Sequence, residues 1–425
     1  MKKMHDIIVH TNKLNGTVSL PPSKSVAHRA IICAALSKGI STVKPIDLSN
    51  DITATIECMK KLGAKITLVG DTLTVDGSRT FSAENTVLDC GESGSTLRFL
   101  IPVAAAGGVS AEFIGHGKLP RRPINIYTER LPEKGVSCAE EGGLPLKISG
   151  KLESGIYEVP GNVSSQFITG LMLALPLLEG DSEIRLTTKA QSTGYIDMTI
   201  SVMKEFGVDI ITTNSGWLIK GGQEYNAKDY FVEGDWSQAA FFMTAAALGG
   251  NITINNLRMD STQGDKACVE VYRRLGVDIT ENNGVLVMKS GRLHGIELDA
   301  SDIPDMVPAF SVAAAAAEGR TVIKGAERLR IKECDRLAAM REGLSALGVD
   351  IKETDDGLII EGTDKFHSAF INGFNDHRIV MSFAAAAAFC DGDITISDME
   401  SINKSYPSFF EDMKKTGGDF DVIMG

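Results

Sequence analysis

The sequence lacks the features that are typical of secreted proteins, of proteins stabilised by a metal ion and of membrane-spanning proteins. It has seven cysteines, an odd number, and no two of them have the CxxC spacing of zinc and redox sites. Its alanine-rich stretches at 311–317 and 384–388 are too short to span a bilayer. The first residues lead into a strand-like Ile7–Val9 without the long apolar stretch of a signal peptide. These absences predict a reduced, cytoplasmic protein without a metal site.

An excess of basic residues is missing as well. Lys and Arg number 43 against 55 Asp and Glu, which gives a formal net charge of −12. A nucleic-acid binder needs a basic face, as does a protein that binds an anionic membrane, so we expect neither partner. An anionic small molecule is still possible, because its binding depends on the local field in a cleft. At 425 residues the chain exceeds the size of a single core, which predicts two domains.

What the sequence does contain is an internal repeat. A helix-like segment, a glycine and a strand-like segment recur six times, about seventy residues apart. The glycine suits a left-handed helix C-terminus, and the Lys or Arg residues before it suit the helix dipole. A turn and a return strand follow, as in 277–288. Three units per domain is the natural partition, with a crossover near 233–235. The repeated glycines are Gly63, Gly135, Gly207, Gly276, Gly348 and Gly417.

A cluster of polar and basic residues begins the first predicted helix. Ser23 is a candidate N-cap, and Lys24, Ser25 and Arg29 follow in the first turns. Backbone N–H groups, the positive dipole end and two cations together would form a strong anion site. An ordinary helix start with solvated basic residues explains the same pattern equally well.

Three further segments of the first half are candidates for ligand binding, each with a simpler alternative. The glycine-rich segment 90–98 leads into a helix near Ser95 and directs backbone N–H groups toward a ligand. Ser164 and Ser165 begin another helix, where they either cap it or bind phosphate oxygens. Segment 120–124 holds two guanidiniums, which suit a carboxylate or phosphate but also an exposed loop.

The second half carries a pair of cations with acidic neighbours. Lys332 and Arg336 are predicted to lie four residues apart on one helix face. Like charges there destabilise a helix unless an anion neutralises them. Glu333 and Asp335 can do so, and a bound ligand is the alternative.

More titratable residues fall at helix starts farther along the chain. Segment 375–378 begins an alanine-rich helix with His377 and Arg378 at its N-terminus. A cation there opposes the dipole, which favours an anionic partner. Asp305 precedes another helix as a cap or as a functional carboxylate, and Lys404 lies in a polar segment. Cations collected at several helix starts predict a dense anion site in a cleft between the two domains.

These motifs run through nearly the whole chain in the order seen in a known family. The residues concerned are Ser23–Ser25, Arg29, Gly91, Gly94, Ser95, Arg98, Arg122–Ile124, Ser164–Gln166, Tyr195–Asp197, Glu233–Asp235, Pro304, Asp305, Lys332, Glu333, Asp335, Arg336, Asn375–Arg378 and Lys404. With them the chain resembles the 5-enolpyruvylshikimate-3-phosphate synthases of the enolpyruvyl transferase family. The resemblance implies an α/β fold of two domains, each with three βαβαββ repeat units, built as inside-out α/β barrels of the enolpyruvyl transferase type. The N-terminal domain would span 22–232, on the shikimate 3-phosphate side. The C-terminal domain would comprise 1–21 and 233–425, on the phosphoenolpyruvate side.

The family's reaction transfers the enolpyruvyl group of phosphoenolpyruvate to the 5-hydroxyl of shikimate 3-phosphate and releases phosphate, in the shikimate pathway to chorismate and aromatic amino acids. By resemblance, the residues that hold shikimate 3-phosphate are Lys24, Ser25, Arg29, Ser164, Ser165, Gln166, Ser192, Tyr195, Asp305 and Lys332. Those that hold phosphoenolpyruvate are Lys24, Gly94, Arg122, Gln166, Arg336, Arg378 and Lys404.

The resemblance also suggests catalytic roles. Asp305 is the candidate base for the 5-hydroxyl proton. Glu333, Lys24, His377 and Lys404 are candidates for moving the proton at C3 of the enol, and the sequence does not choose among them. No cofactor or metal is implied, because Arg and Lys stabilise the charges. The family also implies a monomer.

One residue departs from the family pattern. Glu92 stands in the glycine-rich loop where the family usually has Asn, and Ser95 where it usually has Thr. A carboxylate beside phosphoenolpyruvate would repel it unless turned away or paired with a cation. The effect of Glu92 on inhibitors shaped like phosphoenolpyruvate is therefore open.

Two alternative functions compete with this interpretation. The sister transferase that uses UDP-N-acetylglucosamine shares the repeat fold, but its members typically carry Lys-Asn near the N-terminus and a reactive cysteine in the loop that corresponds to 115–124. This chain has Lys24-Ser25, and its loop has no cysteine. A non-catalytic anion-binding repeat protein would need the cations without Asp305 and Glu333.

Overall fold

The computed structural model describes residues 5–424 and divides the chain into two compact units. The N-terminal unit is the continuous segment Pro22–Glu233. The C-terminal unit combines the residues up to Pro21 with those from Gly234 onward. Residues 1–4 and 425, which the sequence assigned to the C-terminal domain, lie outside the described residues.

The boundary at Glu233 follows from backbone hydrogen bonds. The sequence placed this residue in the C-terminal domain, but it falls in the N-terminal unit, where its carbonyl accepts from the Ser23 N–H at 2.7 Å. Two residues later, the Asp235 N–H donates to the Pro21 carbonyl within the C-terminal unit at 2.9 Å. The chain therefore passes from the N-terminal unit to the C-terminal unit between Glu233 and Asp235.

Helices are distributed evenly over the two units. In the described part of the N-terminal unit they are α1 (Lys24–Leu36), α2 (Asn50–Lys61), α3 (Gly94–Ala106), α4 (Asn125–Arg130), α5 (Ser165–Ala174) and α6 (Thr193–Glu205). In that of the C-terminal unit they are α7 (Trp236–Ala247), α8 (Cys268–Leu275), α9 (Val307–Ala315), α10 (Arg336–Ala346), α11 (His377–Ala386) and α12 (Phe409–Lys415). Short 3-10 helices lie at Leu119–Arg121, Leu131–Lys134, Leu175–Leu177, Gly264–Ala267, Pro304–Met306, Glu327–Ile331, Ala387–Phe389 and Met399–Lys404.

The strands are short, between three and five residues each. Those before the N-terminal unit are β1 (His5–Val9) and β2 (Asn15–Ser19). The N-terminal unit contains β3 (Ile40–Lys44), β4 (Lys65–Val69), β5 (Thr72–Asp76), β6 (Asn85–Asp89), β7 (Ser110–Ile114), β8 (Val136–Ala139), β9 (Leu146–Gly150), β10 (Ile156–Val159), β11 (Ser182–Leu186), β12 (Ile210–Thr212), β13 (Gly216–Ile219) and β14 (Asp229–Phe231). The C-terminal unit continues with β15 (Asn251–Asn255), β16 (Asp278–Asn282), β17 (Val285–Lys289), β18 (Glu297–Asp299), β19 (Arg320–Lys324), β20 (Ile351–Thr354), β21 (Gly357–Glu361), β22 (Ala369–Ile371), β23 (Ile394–Ile396) and β24 (Phe420–Met424).

One sheet plan recurs through the described residues. Each sheet has four strands: the first is parallel to the second, and the third and fourth each run antiparallel to the preceding one. Strands β1 and β2 complete two sheets of the C-terminal unit, since β1 pairs with β23 and β24, and β2 with β15. The strand orders are β14-β3-β5-β4, β6-β7-β9-β8, β10-β11-β13-β12, β2-β15-β17-β16, β18-β19-β21-β20 and β22-β23-β1-β24.

The repeated glycines mark the same point of each unit. All six have φ between 80° and 114°, the left-handed region that only glycine adopts without strain. Gly276, for example, caps α8, and a Cβ there would lie 2.2 Å from the Arg292 carbonyl oxygen. The predicted α/β fold of three βαβαββ units per domain is confirmed over the residues described.

Buried helices form the centre of each unit. Helices α1, α3, α5, α7, α9 and α11 are buried almost along their whole length, including polar side chains such as Arg29 and Arg378. Their many alanines permit close packing: α7, α9 and α11 contact one another, and α3 packs on α5. None of the described helices combines the length and apolarity needed to cross a membrane.

Candidate functional site

The buried helices of the N-terminal unit begin at serine caps. The Ser23 hydroxyl accepts from Val26 N–H at 3.4 Å, Ser93 from Thr96 N–H at 3.2 Å, and Ser164 from the N–H two residues on at 3.3 Å. The caps predicted at Ser23 and Ser164 are confirmed. Helix α3 begins one residue before the predicted Ser95, because Ser93 caps it. A serine cap brings no charge, so the positive dipole ends of these helices stay uncompensated by it.

Lys24 forms an ion pair across two helix starts. Its Nζ lies 2.8 Å from Asp51 Oδ2, in the first turn of α2, and both side chains are mostly buried. Ser25 follows on α1, where its carbonyl accepts from Arg29 at 2.7 Å. Asp51 was not among the predicted site residues, since in the sequence only its place in the first turn of a helix distinguishes it.

Arg29 is a buried cation without a carboxylate among its hydrogen-bond partners in the described residues. Its guanidinium donates to Thr199 Oγ1 at 2.8 Å, Thr169 Oγ1 at 3.3 Å and the Tyr195 carbonyl at 3.1 Å. It also lies over the Phe99 ring, 5.1 Å from the centroid. Burial lowers the pKa of Arg29 to about 10, so the side chain remains charged at neutral pH. A buried cation in neutral surroundings is stabilised by an anion.

Gly94 and Arg122 approach each other closely. A Cβ on Gly94 would lie 2.8 Å from Arg122 Nη1, so the guanidinium occupies the space that a side chain would need. Gln166, in the first turn of α5, connects this helix to the first turns of α3. Its Nε2 donates to Ser95 Oγ at 3.0 Å, and its Oε1 accepts from Arg98 at 2.6 Å. These predicted binding residues therefore form one polar cluster.

Ser165 and Ser192 are buried, whereas Ser164 and Tyr195 are partly exposed. Ser192 adopts φ 55°, ψ 44°, a left-handed conformation that is uncommon for serine, just before α6. Tyr195 lies in the first turn of this helix, and its carbonyl accepts from both Arg29 and Thr199. The α6 start is thus tied to α1.

Arg336 is the centre of the C-terminal cluster. It is 1% exposed and donates to Asp376 Oδ2 at 2.8 Å, Asp305 Oδ1 at 3.0 Å and Glu333 Oε2 at 2.8 Å. Burial alone would lower its pKa, but Asp376, Glu333 and Asp305 outweigh burial and hold the pKa of Arg336 well above its ordinary range. The sequence did not assign Asp376 a role beyond its motif.

Asp305 meets three cations. Its carboxylate lies 3.0 Å from Arg336, 3.3 Å from Arg378 and 3.4 Å from Lys332. It is not a helix cap, because a 3-10 turn at Pro304–Met306 leads into α9 without a side-chain cap. Three cations around one carboxylate favour its charged form.

The prediction that Lys332 and Arg336 share a helix face is wrong. Asp335 caps α10 by accepting from Ala338 N–H at 3.1 Å, so the helix starts at Arg336 and Lys332 lies outside it in extended backbone. The two cations meet through Asp305 instead.

The predicted helix start at segment 375–378 is confirmed. Asp376 caps α11 by accepting from Arg378 N–H at 2.9 Å, and Arg378 also donates to Ser237 Oγ at 3.1 Å. His377 is 2% exposed beside Asp376. Lys404 donates to the Asn375 carbonyl at 2.6 Å, which brings it to the same helix start.

Aspartates, not serines, cap two of the buried helices in the C-terminal unit. Asp235 caps α7 by accepting from Ser237 N–H at 2.9 Å, and Asp376 caps α11. The C-terminal cluster therefore alternates carboxylates with cations, whereas Arg29 in the N-terminal unit has hydroxyl and carbonyl partners. Such a mixed cluster suits proton transfer, and a cation with neutral partners suits anion binding.

Glu92 turns toward the neighbouring loop. A Cβ on Gly117 would lie 2.6 Å from the Glu92 carboxyl carbon and 2.6 Å from its Oε2, so the carboxylate packs on that glycine. Gly117 has φ 58°, the left-handed conformation. In this orientation the acid contacts the loop after β7.

Within residues 5–424 no group of His, Cys, Asp and Glu side chains is arranged to hold a metal ion. The partners missed by sequence reasoning are polar residues that contact the predicted cations from other helices. Their contacts with these cations join residues far apart in the sequence, so local patterns did not predict the pairings, even where Asp376 itself lies in a recognised motif. They are Asp51, Thr169, Thr199, Ser237 and Asp376.

Comparison with known proteins gives consistent matches over the whole chain. A sequence model of the family described as EPSP synthase (3-phosphoshikimate 1-carboxyvinyltransferase) matches residues 8–413. The 3-phosphoshikimate 1-carboxyvinyltransferase of Clostridium novyi (strain NT) is 46% identical over 429 residues, covering 98% of this chain and 99% of the relative. That of Clostridioides difficile (strain 630) is 45% identical over 433 residues, with the same coverage.

Solved structures agree. The structure of EPSP synthase from Acinetobacter baumannii matches with a TM-score of 0.82 at 28% identity, covering 98% of this chain and 99% of that one. The enolpyruvyl transferase NikO from Streptomyces tendae matches with a TM-score of 0.81 over 100% of both chains. At 19% identity, NikO is evidence for the fold alone.

Proposed function

This chain belongs to the EPSP synthase family, and we propose that it transfers the carboxyvinyl group of phosphoenolpyruvate to the 5-hydroxyl of shikimate 3-phosphate, releasing phosphate. It is a transferase of aromatic amino-acid biosynthesis. The observation that carries the proposal is the ion cluster of Asp305, Lys332, Arg336 and Arg378, which combines a candidate base with cations for an anionic substrate.

The N-terminal unit supplies most of the shikimate 3-phosphate contacts in this proposal. Arg29 supports it, since a buried guanidinium with hydroxyl and carbonyl partners gains most from an anion. The serine-capped helix starts add N–H dipoles without negative charge. The residues assigned are Lys24, Ser25, Arg29, Ser164, Ser165, Gln166, Ser192 and Tyr195, with Asp305 and Lys332 from the C-terminal unit.

Phosphoenolpyruvate is assigned to five cations together with Gly94 and Gln166. Arg122 beside Gly94 presents a guanidinium fork suited to a phosphate or carboxylate. Arg336 and Arg378 present two more, both bonded to Asp305. The residues assigned are Lys24, Gly94, Arg122, Gln166, Arg336, Arg378 and Lys404.

Asp305 takes the proton of the 5-hydroxyl in the proposed mechanism. In the described structure its carboxylate accepts from Arg336 and Arg378, two of the cations assigned to phosphoenolpyruvate, and we place the carboxylate of that substrate at these two cations. The substrate's carboxylate would replace Asp305 at these cations. Release from two cations makes a carboxylate more basic, so binding of one substrate would activate the base for the other.

Four residues are candidates for the proton at C3 of the enol. Lys24 is paired with Asp51, and Glu333 with Arg336. Lys404 donates to a carbonyl, and His377 is buried beside Asp376. We assign the proton transfer to Lys24 and Glu333, because an ion pair at 2.8 Å holds each side chain in place. Arginine and lysine side chains stabilise the charge that develops on the transferring group.

A phosphate-release assay tests the function. The full chain is incubated with phosphoenolpyruvate and either shikimate 3-phosphate or UDP-N-acetylglucosamine. We expect phosphate only with shikimate 3-phosphate. Release with the UDP-sugar would identify the sister activity, and binding of both shikimate-pathway substrates without release would identify a non-catalytic binding protein.

A further inference from the structure

Two pairs of buried threonines lie on either side of α1. His28 and Arg29 are consecutive residues of this helix and are 1% and 3% exposed. Successive helical residues point about 100° apart, so the two side chains reach different neighbours. His28 Nδ1 lies 2.7 Å from Thr55 Oγ1 on α2, whereas Arg29 Nε donates to Thr199 Oγ1 on α6 at 2.8 Å.

The first pair, Thr55 and Thr96, connects α1 to the start of α3. The two hydroxyls are 2.7 Å apart, and Thr96 Oγ1 lies 2.8 Å from Ser93 Oγ, the cap of α3. Thr96 Oγ1 also lies 3.4 Å from the carbonyl oxygen of Asp51, the partner of Lys24. Thr96 therefore contacts the cap that directly precedes Gly94, a residue assigned to phosphoenolpyruvate alone.

The second pair, Thr169 and Thr199, connects α1 to α5 and α6. These hydroxyls are 2.9 Å apart, and both accept from Arg29. Thr199 Oγ1 in turn lies 2.8 Å from the Tyr195 carbonyl. This pair fixes two residues that are assigned to shikimate 3-phosphate, Arg29 and Tyr195.

Burial makes both pairs sensitive to the loss of one hydroxyl. All four threonines are 0% exposed, so water cannot replace a missing partner. His28 Nε2 has no hydrogen-bond partner in the residues described, which leaves Nδ1 as the polar contact of the ring. Burial first, then Lys24 and Arg29, lower the pKa of His28 well below its ordinary value, so His28 is a neutral hydrogen-bonding group.

We propose that the two threonine pairs are positioning elements with separate effects on the two substrates. The Thr55–Thr96 pair orients the α3 start, where Gly94 is assigned to phosphoenolpyruvate, and the Thr169–Thr199 pair orients Arg29 and Tyr195, which are assigned to shikimate 3-phosphate. This inference rests on the proposed function. It assigns the pairs no contact with either substrate: the first pair acts through the α3 start, and the second acts through Arg29.

Two isosteric substitutions test the separation. Thr55→Val should raise KM for phosphoenolpyruvate about three- to tenfold and leave KM for shikimate 3-phosphate within about twofold. Thr199→Val should do the reverse, since it removes an acceptor of Arg29. Thr55→Ser and Thr199→Ser retain the hydroxyl and should return each KM close to that of the wild type. In each valine variant the change in KM should exceed the change in kcat.

Thr321→Val serves as the matched control. Thr321 is also fully buried and accepts one bond, from Ile296 N–H at 3.3 Å, in the C-terminal unit. The Thr321→Val variant should leave KM for phosphoenolpyruvate and KM for shikimate 3-phosphate unchanged. Thermal unfolding verifies that each variant is folded, and Thr96→Val, which removes the other hydroxyl of the first pair, replaces Thr55→Val if that variant does not fold.

The possible outcomes distinguish a failure of the proposal on the threonine pairs from a failure of the proposed transferase activity. An equal rise of both KM values in the two valine variants, or no change in either, would overturn the inference while wild-type phosphate release upholds the function. Absence of wild-type release with these substrates would overturn both.

Discussion

Asp305 is assigned two successive roles, first as an ion-pair partner of cations and then as the base for the 5-hydroxyl of shikimate 3-phosphate. Its carboxylate neutralises Lys332, Arg336 and Arg378 in the described structure, and the proposed reaction needs it as a base. A carboxylate held by three cations is a weak base, and one released from two of them is stronger. The proposed exchange with the substrate carboxylate reconciles these demands.

Asp305→Asn should therefore have opposite effects on turnover and on binding. Loss of the base lowers kcat at least about 100-fold. Loss of the competing negative charge tightens phosphoenolpyruvate binding to the enzyme without shikimate 3-phosphate, because a neutral amide competes less for Arg336 and Arg378. Isothermal titration calorimetry measures the Kd, and Asp302→Asn, at a neighbouring exposed acid, is the control. Weaker phosphoenolpyruvate binding in Asp305→Asn would contradict the exchange.

Glu92 and Gly94 are two positions of one loop with different expected sensitivities. Glu92 packs on Gly117, so Glu92→Gln should change KM for phosphoenolpyruvate by less than about twofold. Gly94→Ala places a Cβ 2.8 Å from Arg122 Nη1 and should raise that KM, since the guanidinium must move. Steady-state kinetics with varied phosphoenolpyruvate distinguish the two. A larger effect at Glu92 than at Gly94 would show that the carboxylate faces the substrate.

At the scale of helices, the sequence predicted where most of them begin but not what their first turns contact. Serine and aspartate caps are local signals, so the starts at Ser23, Ser164 and Asp376 could be predicted. Lys332 was assigned to a helix from its four-residue spacing to Arg336, although the cap at Asp335 begins the helix after it. The partner Thr199 lies 170 residues from Arg29, a distance that no local pattern covers.

Helix α1 also supports a prediction about pH and stability. The folded state keeps His28 neutral, because burial and two neighbouring cations lower its pKa well below 6.5. The unfolded chain binds a proton there as the pH falls below 6.5, and the folded chain does not. Stability is therefore present above pH 6.5 and is lost on acidification, by at most about 1.4 kcal/mol per pH unit from this residue.

His28→Asn removes this titration and keeps a polar group near Thr55. Chemical denaturation at pH 7 and pH 5.5 should show a smaller loss of unfolding free energy in the variant than in the wild type. His294→Asn, at an exposed histidine, should match the wild-type difference. An identical pH dependence in all three proteins would show that His28 titrates normally in the folded state.

At the scale of the whole molecule, each unit has its own hydrophobic core. Among the described residues the buried apolar side chains form two clusters, one within Pro22–Glu233 and one within the remainder of the chain. The sheets divide in the same way, with β14 returning to pair with β3 inside the N-terminal unit. A continuous segment with a complete core is able to fold alone.

A fragment of residues 22–233 should therefore fold, and it should bind shikimate 3-phosphate without turnover. It carries Arg29 and the serine-capped helix starts but lacks Asp305 and Arg336. Saturation at about 100 times Kd would stabilise it by about 2.7 kcal/mol, a rise in Tm of roughly 5–10 °C. Shikimate, which lacks the phosphate, is the matched control and should give a smaller rise because fewer charge-assisted bonds form. Equal Tm values with and without shikimate 3-phosphate in a cooperatively unfolding fragment would place the phosphate contacts outside this unit.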